Sequence, residues 1–114
     1  MKGISTHVLD TARGMPARDL GVRLERNENS EQWRTLGSAR TGQDGRCCQL
    51  LPEGEHFPPG IYRLAFDTGT YYATQGIETL YPIVQVTFSV PDPESHFHIP
   101  LLLSPYGYTT YRGT

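Results

Sequence analysis

Short segments of β-branched and aromatic residues recur along the chain, and a turn signal ends each of them. In the clearest segment, "GIYRLAFDT" (60–68), the residues alternate between two faces: one carries Ile61, Arg63, Ala65 and Asp67, and the other carries Tyr62, Leu64, Phe66 and Thr68. This period of two is typical of a strand with one buried face. The other segments that predict strands are 4–11, 22–27, 33–41, 46–51, 79–90, 96–105 and a last piece within 106–114. Such short, closely spaced strands predict a β-sandwich of immunoglobulin-like size.

Twelve glycines and nine prolines supply the turns between these strands. Only the segment "GTYYATQGI" (69–77) predicts a helix, a short one that ends near Gly76. A chain of 114 residues buries roughly 65% of its unfolded surface, which suffices for one core. We therefore expect a single all-β domain over 1–114, an antiparallel sandwich with one short helix.

The charge pattern argues against nucleic acid or an anionic membrane as a partner. The net charge is −2, and the ten basic residues, nine of them arginine, are scattered along the chain. Cys47 and Cys48 are adjacent and so face opposite sides of a strand, which predicts two reduced thiols rather than a disulfide. Reduced thiols suit a reducing compartment. The chain has no 18-residue apolar stretch and no apolar core of a signal peptide near its start, so we expect a soluble, cytoplasmic protein.

Three histidines on strand segments are candidates for chemistry. His96 and His98 share a strand face by the period of two, and His7 lies in the first strand. A His-x-His pair joined by His7 could form a three-nitrogen zinc site, but no cysteine, and no carboxylate other than Glu94 in the preceding turn, accompanies the pair. We therefore expect no required metal and no cofactor. Taken alone, His7 is more simply a partly buried strand residue.

Arg46 follows the strong turn dipeptide Asp44-Gly45. Its simplest interpretation is a solvated residue at the start of a strand; a functional role requires that it face the same cavity as the histidines. The sequence has no nucleophile elbow, no phosphate-binding loop and no cysteine–histidine nucleophile arrangement. Imidazoles, a guanidinium, tyrosine and a hydroxyl are suited to adding water to a polar carbonyl, with imidazole as general base and guanidinium as oxyanion partner.

Three separated stretches resemble one family. "ISTHVLDTARGMPA", "TGQDGR" and "HFHIPLLLSPYGYTTYRGT" are similar to the 5-hydroxyisourate hydrolases, the transthyretin-related branch of the transthyretin superfamily. The resemblance extends over the chain from Ile4 to Thr114. The ending "YRGT" differs from the family's Tyr-Arg-Gly-Ser only by threonine for serine, which keeps the hydroxyl. "LLLSPYGY" also resembles transthyretin itself.

The resemblance implies a prealbumin-like sandwich of two four-stranded sheets in a homotetramer, a dimer of dimers with its sites at subunit interfaces. It implies hydrolysis of 5-hydroxyisourate in urate degradation. The implied catalytic residues are His7, Arg46, His98 and Thr114, and the implied substrate-binding residues are His7, Arg46, Tyr111 and Arg112. His96 has no assigned role, and the base could be either His7 or His98.

Two other classes of function remain open at this stage. A transthyretin-like carrier needs an apolar channel, which His7, Arg46 and His98 would make polar. A structural β-sandwich module would tolerate loss of "RGT" at 112–114. We expect the hydrolase, because three separated segments match its family at once.

Overall fold

The computed structural model describes residues 3–92 and 95–114, which form nine strands and one helix. The strands are β1 (Gly3–Asp10), β2 (Met15–Pro16), β3 (Gly21–Asn29), β4 (Gln32–Arg40), β5 (Arg46–Cys47), β6 (Gly60–Phe66), β7 (Val84–Val90), β8 (His96–Ser104) and β9 (Gly107–Thr110). The helix, α1 (Thr68–Ala73), begins after Asp67, whose side chain accepts a hydrogen bond from the Thr70 backbone N–H. The described residues contain no helix with the length and apolar character needed to span a bilayer.

The strands form two sheets, as the alternating pattern predicts. One sheet has the order β4-β3-β6-β7, with antiparallel pairs throughout. The other has the order β2-β1-β8-β9, and β5 also pairs with β1, which makes five strands rather than four. The pair β1–β8 is parallel, so this sheet is mixed. The expected all-β sandwich with one short helix is confirmed. The parallel pair places β1, near the start of the chain, beside β8, near its end.

The core lies between the inner faces of the two sheets. Tyr62, Leu64 and Phe66, which share one face of β6, have no exposed surface. Burial of each such side chain contributes roughly 1.5–3 kcal/mol to folding. In β1 the buried apolar residues Ile4 and Val8 are also fully inaccessible to solvent. Ser5 and His7 alternate with these buried residues and therefore lie on the opposite, outer face of the five-stranded sheet.

Two predicted strand boundaries are wrong. The segment 46–51 is a strand only at Arg46–Cys47, because the chain then turns and buries Leu50 and Leu51 from a loop. The segment 79–90 becomes a strand only at Val84. Its first residues are held elsewhere: the Tyr81 carbonyl accepts a hydrogen bond from Thr68 Oγ1, and the Pro82 carbonyl accepts one from the Gly69 N–H.

Candidate active site

Polar side chains of three neighbouring strands share the outer face of the five-stranded sheet. β1 lies between β5 and β8; in this register His7 pairs with Arg46, and Ser5 pairs with His98. Directly paired residues put their side chains on the same face. His96 lies two residues before His98 and follows the same alternation. The register thus brings together residues that are about ninety positions apart in sequence.

These side chains border an open pocket of about 560 Å³. Its lining includes Ser5, Arg46, Cys48, His96, His98, Arg112, Gly113 and Thr114. Four of the residues that the sequence predicts for the site, namely Arg46, His98, Arg112 and Thr114, therefore meet at one pocket within a single chain.

His7 and Tyr111 lie near this pocket but do not border it. His7 is half-buried, and its Nε2–H donates a hydrogen bond to the Asp44 carbonyl, with 2.9 Å between nitrogen and oxygen. Because a carbonyl oxygen can only accept, Nε2 carries a proton and neutral His7 keeps its lone pair on Nδ1. The Tyr111 side chain is 55% exposed and points into solvent in the single chain.

The tight turn at Asp44-Gly45 positions Arg46 beside β1, where it pairs with His7. Gly45 has φ +79°, and a Cβ there would lie 2.5 Å from the Val8 carbonyl oxygen, so only glycine fits. The Arg46 N–H donates to Asp44 Oδ1 at 3.0 Å. The Arg46 Nε lies 3.9 Å from Asp44 Oδ2, and both side chains are about half exposed or more. Such an ion pair is weak, which leaves the guanidinium able to bind an anionic or carbonyl oxygen.

The tail of the chain is held across His98. The Gly113 N–H donates to the His98 carbonyl at 2.7 Å. A Cβ on Gly113 would lie 2.5 Å from Cδ2 of the His98 ring, so the tail backbone packs directly on the imidazole. The guanidinium carbon of Arg112 lies 4.5 Å from the centre of the Phe97 ring, a cation–π contact. These contacts bring Thr114 to the pocket.

Ser5 is a site residue that the sequence did not single out. Its side-chain oxygen lies 2.8 Å from His96 Nε2 and 2.8 Å from His98 Nδ1. Ser5 is 8% exposed, so the hydroxyl joins two imidazoles with little water present. Its place two residues before His7 gave a weak signal, but the link to His98 depends on the β1–β8 register.

Both imidazoles of β8 are shifted toward the neutral form. Burial lowers the pKa of His98 below its ordinary value, and the nearby charges of Arg46, His7 and His96 lower it further. Burial also lowers the pKa of His96, helped by the charge of the amino terminus. Both rings are therefore neutral at pH 7 and can accept or donate a hydrogen bond at either nitrogen.

The two cysteines are free thiols, and the described residues do not group metal-ligating side chains. Cys47 is buried and Cys48 is exposed, and neither forms a disulfide, as the sequence predicts. Burial raises the pKa of the Cys47 thiol, which keeps it protonated. Within 3–92 and 95–114, no three histidine, cysteine or carboxylate side chains are grouped so as to hold a metal ion.

The arrangement provides the groups that carbonyl hydration requires. A neutral imidazole can take a proton from water, a guanidinium can bind a developing oxyanion, and the polar tail can orient a small ring. The lining includes two imidazoles, two guanidiniums and hydroxyl groups, which can hydrogen-bond to a polar heterocycle.

Comparison with known proteins identifies relatives over the full length of the chain. Residues 4–113 match the model of the HIUase/Transthyretin family. The 5-hydroxyisourate hydrolase of Mus musculus is 48% identical over 112 residues, which are 97% of this chain and 94% of the mouse protein.

Two solved structures show the same fold. The 5-hydroxyisourate hydrolase of Klebsiella pneumoniae superposes with a TM-score of 0.84 at 34% identity, covering 97% of this chain and 98% of that one. Sea bream transthyretin in complex with thyroxine superposes with a TM-score of 0.88 at 30% identity, covering 97% and 94%. The chain belongs to the HIUase/transthyretin family.

Proposed function

We propose that this protein hydrolyses 5-hydroxyisourate to 2-oxo-4-hydroxy-4-carboxy-5-ureidoimidazoline, a step of urate degradation in purine catabolism. The observation that carries the proposal is the convergence of His98, Arg46 and Thr114 at one polar pocket. The full-length relatives from mouse and from Pseudomonas aeruginosa, which is 40% identical over 118 residues, are both named 5-hydroxyisourate hydrolase.

In the proposed reaction, water attacks the carbonyl at C6 and the ring N1–C6 bond breaks. His7 and His98 activate the water, one as base and the other by polarising the carbonyl. Arg46 binds the ureide oxygens and the developing oxyanion with its forked donors. The addition of water to this carbonyl requires no electron carrier, and the chain's own side chains supply the proton transfer.

The tail is proposed to hold the substrate. Arg112 and Thr114 border the pocket, where they would donate hydrogen bonds to the heterocycle. Tyr111, exposed in the single chain, would reach the substrate only when subunits assemble around a shared channel. A truncation that removes Arg112–Thr114 should therefore abolish turnover while the two sheets remain folded. Full activity of the truncated protein would favour a purely structural role for the tail.

The proposed assembly is a homotetramer. β7 and β9 end their sheets with one edge unpaired in the described chain, and unpaired edges are ready sites for pairing with a second copy. Large apolar side chains are exposed nearby, with Leu80 63% exposed and Tyr106 67% exposed.

We further propose a cytoplasmic location, where both cysteines stay reduced.

One experiment separates the hydrolase from a carrier. Freshly generated 5-hydroxyisourate is mixed with the protein, and its decay is followed by absorbance. A parallel titration measures thyroxine binding, since the sea bream relative was solved with that ligand. We expect fast substrate decay and weak thyroxine binding, because imidazole and guanidinium groups border the pocket. Tight thyroxine binding without substrate decay would establish the carrier instead.

The catalytic roles are tested by two substitutions that replace an imidazole with a smaller, non-basic polar group. His7→Asn and His98→Asn should each lower kcat by roughly 10²-fold or more, as expected when one positioned group is lost. Circular dichroism should match the unmodified protein. Undiminished turnover in either variant would remove that histidine from the mechanism.

A further inference from the structure

The Ser5 hydroxyl joins two imidazoles, and its single proton restricts what each ring can do. Ser5 Oγ lies 2.8 Å from both His96 Nε2 and His98 Nδ1. A hydroxyl donates one hydrogen bond and accepts others. With both rings neutral, the hydroxyl could accept from both, but its own O–H would then lack an acceptor among the described residues, although Ser5 is only 8% exposed. In the two remaining arrangements the hydroxyl donates to one ring and accepts from the other.

In the first arrangement, His96 Nε2–H donates to Ser5, and Ser5 donates to His98 Nδ1. His98 then carries its ring proton on Nε2. In the second arrangement every donor is reversed, so His98 Nδ1–H donates to Ser5 and Nε2 of His98 is left with a lone pair. The two arrangements therefore predict opposite roles for the His98 Nε2 atom, which has no hydrogen-bond partner in the part of the chain that the structure describes.

The environment of His96 Nδ1, the ring nitrogen that does not contact Ser5, distinguishes the two arrangements. His96 Nδ1 is buried and has no hydrogen-bond partner among the described residues. The second arrangement puts a proton on this atom and buries an unpaired N–H donor, which is rare in folded proteins. The first arrangement leaves only a lone pair there. It also gives both rings the Nε2–H tautomer, the more stable form of neutral histidine in water.

We propose that Ser5 and His96 are positioning residues that hold neutral His98 with its proton on Nε2, so that His98 acts as a hydrogen-bond donor to the substrate and not as the base. The inference rests on the proposed function for its catalytic meaning. His7 then takes the complementary role, because its Nε2–H is already donated to the Asp44 carbonyl and its lone pair is on Nδ1.

The proton balance closes with these roles. Water's oxygen bonds to C6 and one of its protons passes to His7 Nδ1, while His98 Nε2–H and Arg46 stabilise the oxyanion. When the C6–N1 bond breaks, N1 leaves with the electron pair and takes the proton from His7. The second water proton stays on the new carboxyl group, which ionises to solvent. His98 never loses its proton, so no imidazolate is needed.

The titratable groups near His98 come from every neighbouring element. They are His7 on β1, Arg46 on β5, His96 on β8 and Arg112 in the tail. The positive charge of Arg46 favours a neutral His98.

The direct test is nitrogen-15 NMR of the full-length protein labelled in histidine, without substrate. Long-range proton–nitrogen correlations distinguish a protonated ring nitrogen from one that bears a lone pair. We expect His98 to show a protonated Nε2 and an unprotonated Nδ1. A protonated Nδ1 on His98 would overturn the inference. This readout does not depend on catalysis, so it is independent of the proposed reaction.

Kinetics of matched variants provide a second test. Ser5→Ala removes the hydroxyl and should lower kcat by about 10–100-fold, at most the loss expected for removal of the donor itself, with a smaller change in KM. Ser5→Thr keeps the hydroxyl and should retain the His98 tautomer and most of the turnover. Ser104→Ala is the control: Ser104 lies on β8, as His98 does, but its hydroxyl donates to the Gly107 carbonyl, so kcat should be unchanged.

The outcomes distinguish a failure of the positioning role from a failure of the proposed function. If substrate is hydrolysed and Ser5→Ala has full kcat with an unchanged tautomer, the positioning role is wrong while the hydrolase stands. If the tautomer is as expected but 5-hydroxyisourate is not consumed, the positioning of His98 stands and the substrate is wrong. Should Ser5→Ala fail to fold, the tautomer of the unmodified protein still decides.

Discussion

Gly113 packs its Cα against the His98 imidazole, and a side chain there has no room. A Cβ at this position would lie 2.5 Å from His98 Cδ2 and 3.1 Å from Pro100 Cγ. Pro100 is part of β8, so the space can open only if the His98 ring or the tail moves. This contact gives a physical reason for glycine in the tail beside the candidate base and donor groups.

Gly113→Ala should therefore lower kcat by about tenfold or more with little loss of stability, because a displacement of about 1 Å in a catalytic group can cost up to 10²-fold. The measurement is steady-state hydrolysis of fresh 5-hydroxyisourate together with a thermal melt. The control is Gly107→Ala, whose added Cβ would meet only Ser104 Oγ at an ordinary 3.7 Å. Equal turnover in the two variants would show that the tail does not position His98.

The charge of Arg46 should have a measurable effect on the pKa of His98. Burial is the first cause that lowers the pKa of His98, and the Arg46 charge is the next. In Arg46→Gln the pKa of His98 should rise but stay below 6.5, because burial is unchanged. Proton NMR titration of the ring measures it directly. Arg34→Gln, which removes an arginine paired with Glu55, is the control; a pKa of His98 that stays the same in both variants would place Arg46 too far away to act.

At the scale of single residues, the sequence predicted which side chains meet at the site better than it predicted their hydrogen-bond contacts. His98, Arg46 and Arg112 were expected at one site, and all three border the pocket. Ser5 was not predicted, because its two hydrogen bonds depend on a parallel pairing of strands about ninety residues apart. Periodicity indicates which face a residue occupies but not which strand lies beside it.

At the scale of elements, the outer face of the four-stranded sheet is held by a buried carboxylate. Glu25 on β3 is 7% exposed and accepts hydrogen bonds from Arg63 Nε at 2.7 Å and Arg23 Nε at 3.2 Å. The Arg63 guanidinium also lies 3.9 Å from the centre of the Trp33 ring, which ties β6 to β4 across β3. Burial alone would raise the pKa of Glu25, but the hydrogen bonds and charges of the two arginines lower it below its ordinary value.

The lowered pKa makes a prediction about stability in acid. Above its ordinary value of 4.5, ionised Glu25 contributes fully to stability, and this contribution is lost as the pH falls through the lower pKa of the folded state. Glu25→Gln should lower the free energy of unfolding at pH 7 by about 1.5–3 kcal/mol, the cost of losing hydrogen bonds to a charged group. The difference between the two proteins should shrink below pH 4.5.

Urea unfolding at one fixed protein concentration measures these free energies, since assembly makes stability depend on concentration. Asp19→Asn is the control, because its pair with Arg40 at 2.6 Å joins two exposed side chains and should contribute little at any pH. A stability difference for Glu25→Gln that is constant across the acid range would show that this carboxylate does not titrate with folding.

The elements that alternate cleanly were the ones predicted best. β6 was expected over 60–68 and observed at Gly60–Phe66. β7 was extended too far toward its start because residues 79–83 are apolar, yet they are held by α1 and by the turn before β9. Apolar composition alone does not distinguish a strand from a loop that is fixed by hydrogen bonds.

At the scale of the whole molecule, β7 and β9 each end a sheet with one edge unpaired among the described residues. The segment before β7 contacts β9, with 5.1 Å between the ring centres of Tyr81 and Tyr108. The Leu80 N–H donates to the Pro105 carbonyl at 2.9 Å, so the backbone of this 63% exposed leucine is held beside the β8–β9 turn. A large apolar side chain exposed on an ordered backbone favours burial against a second copy.

The proposed tetramer predicts a particle of four times the 12.8 kDa chain mass in light scattering or native mass spectrometry. Leu80→Glu should reduce it to smaller species, because a carboxylate covered by a partner without a counter-charge costs several kcal/mol. Ile61→Glu is the control: Ile61 is 42% exposed at the second position of β6, an inner strand of the other sheet, and faces outward, opposite to the buried Tyr62. If Leu80→Glu lowers the mass and kcat together while Ile61→Glu changes neither, neighbouring subunits complete the site, consistent with the exposed Tyr111. A monomeric unmodified protein with full turnover would instead confine the chemistry to the pocket of one chain.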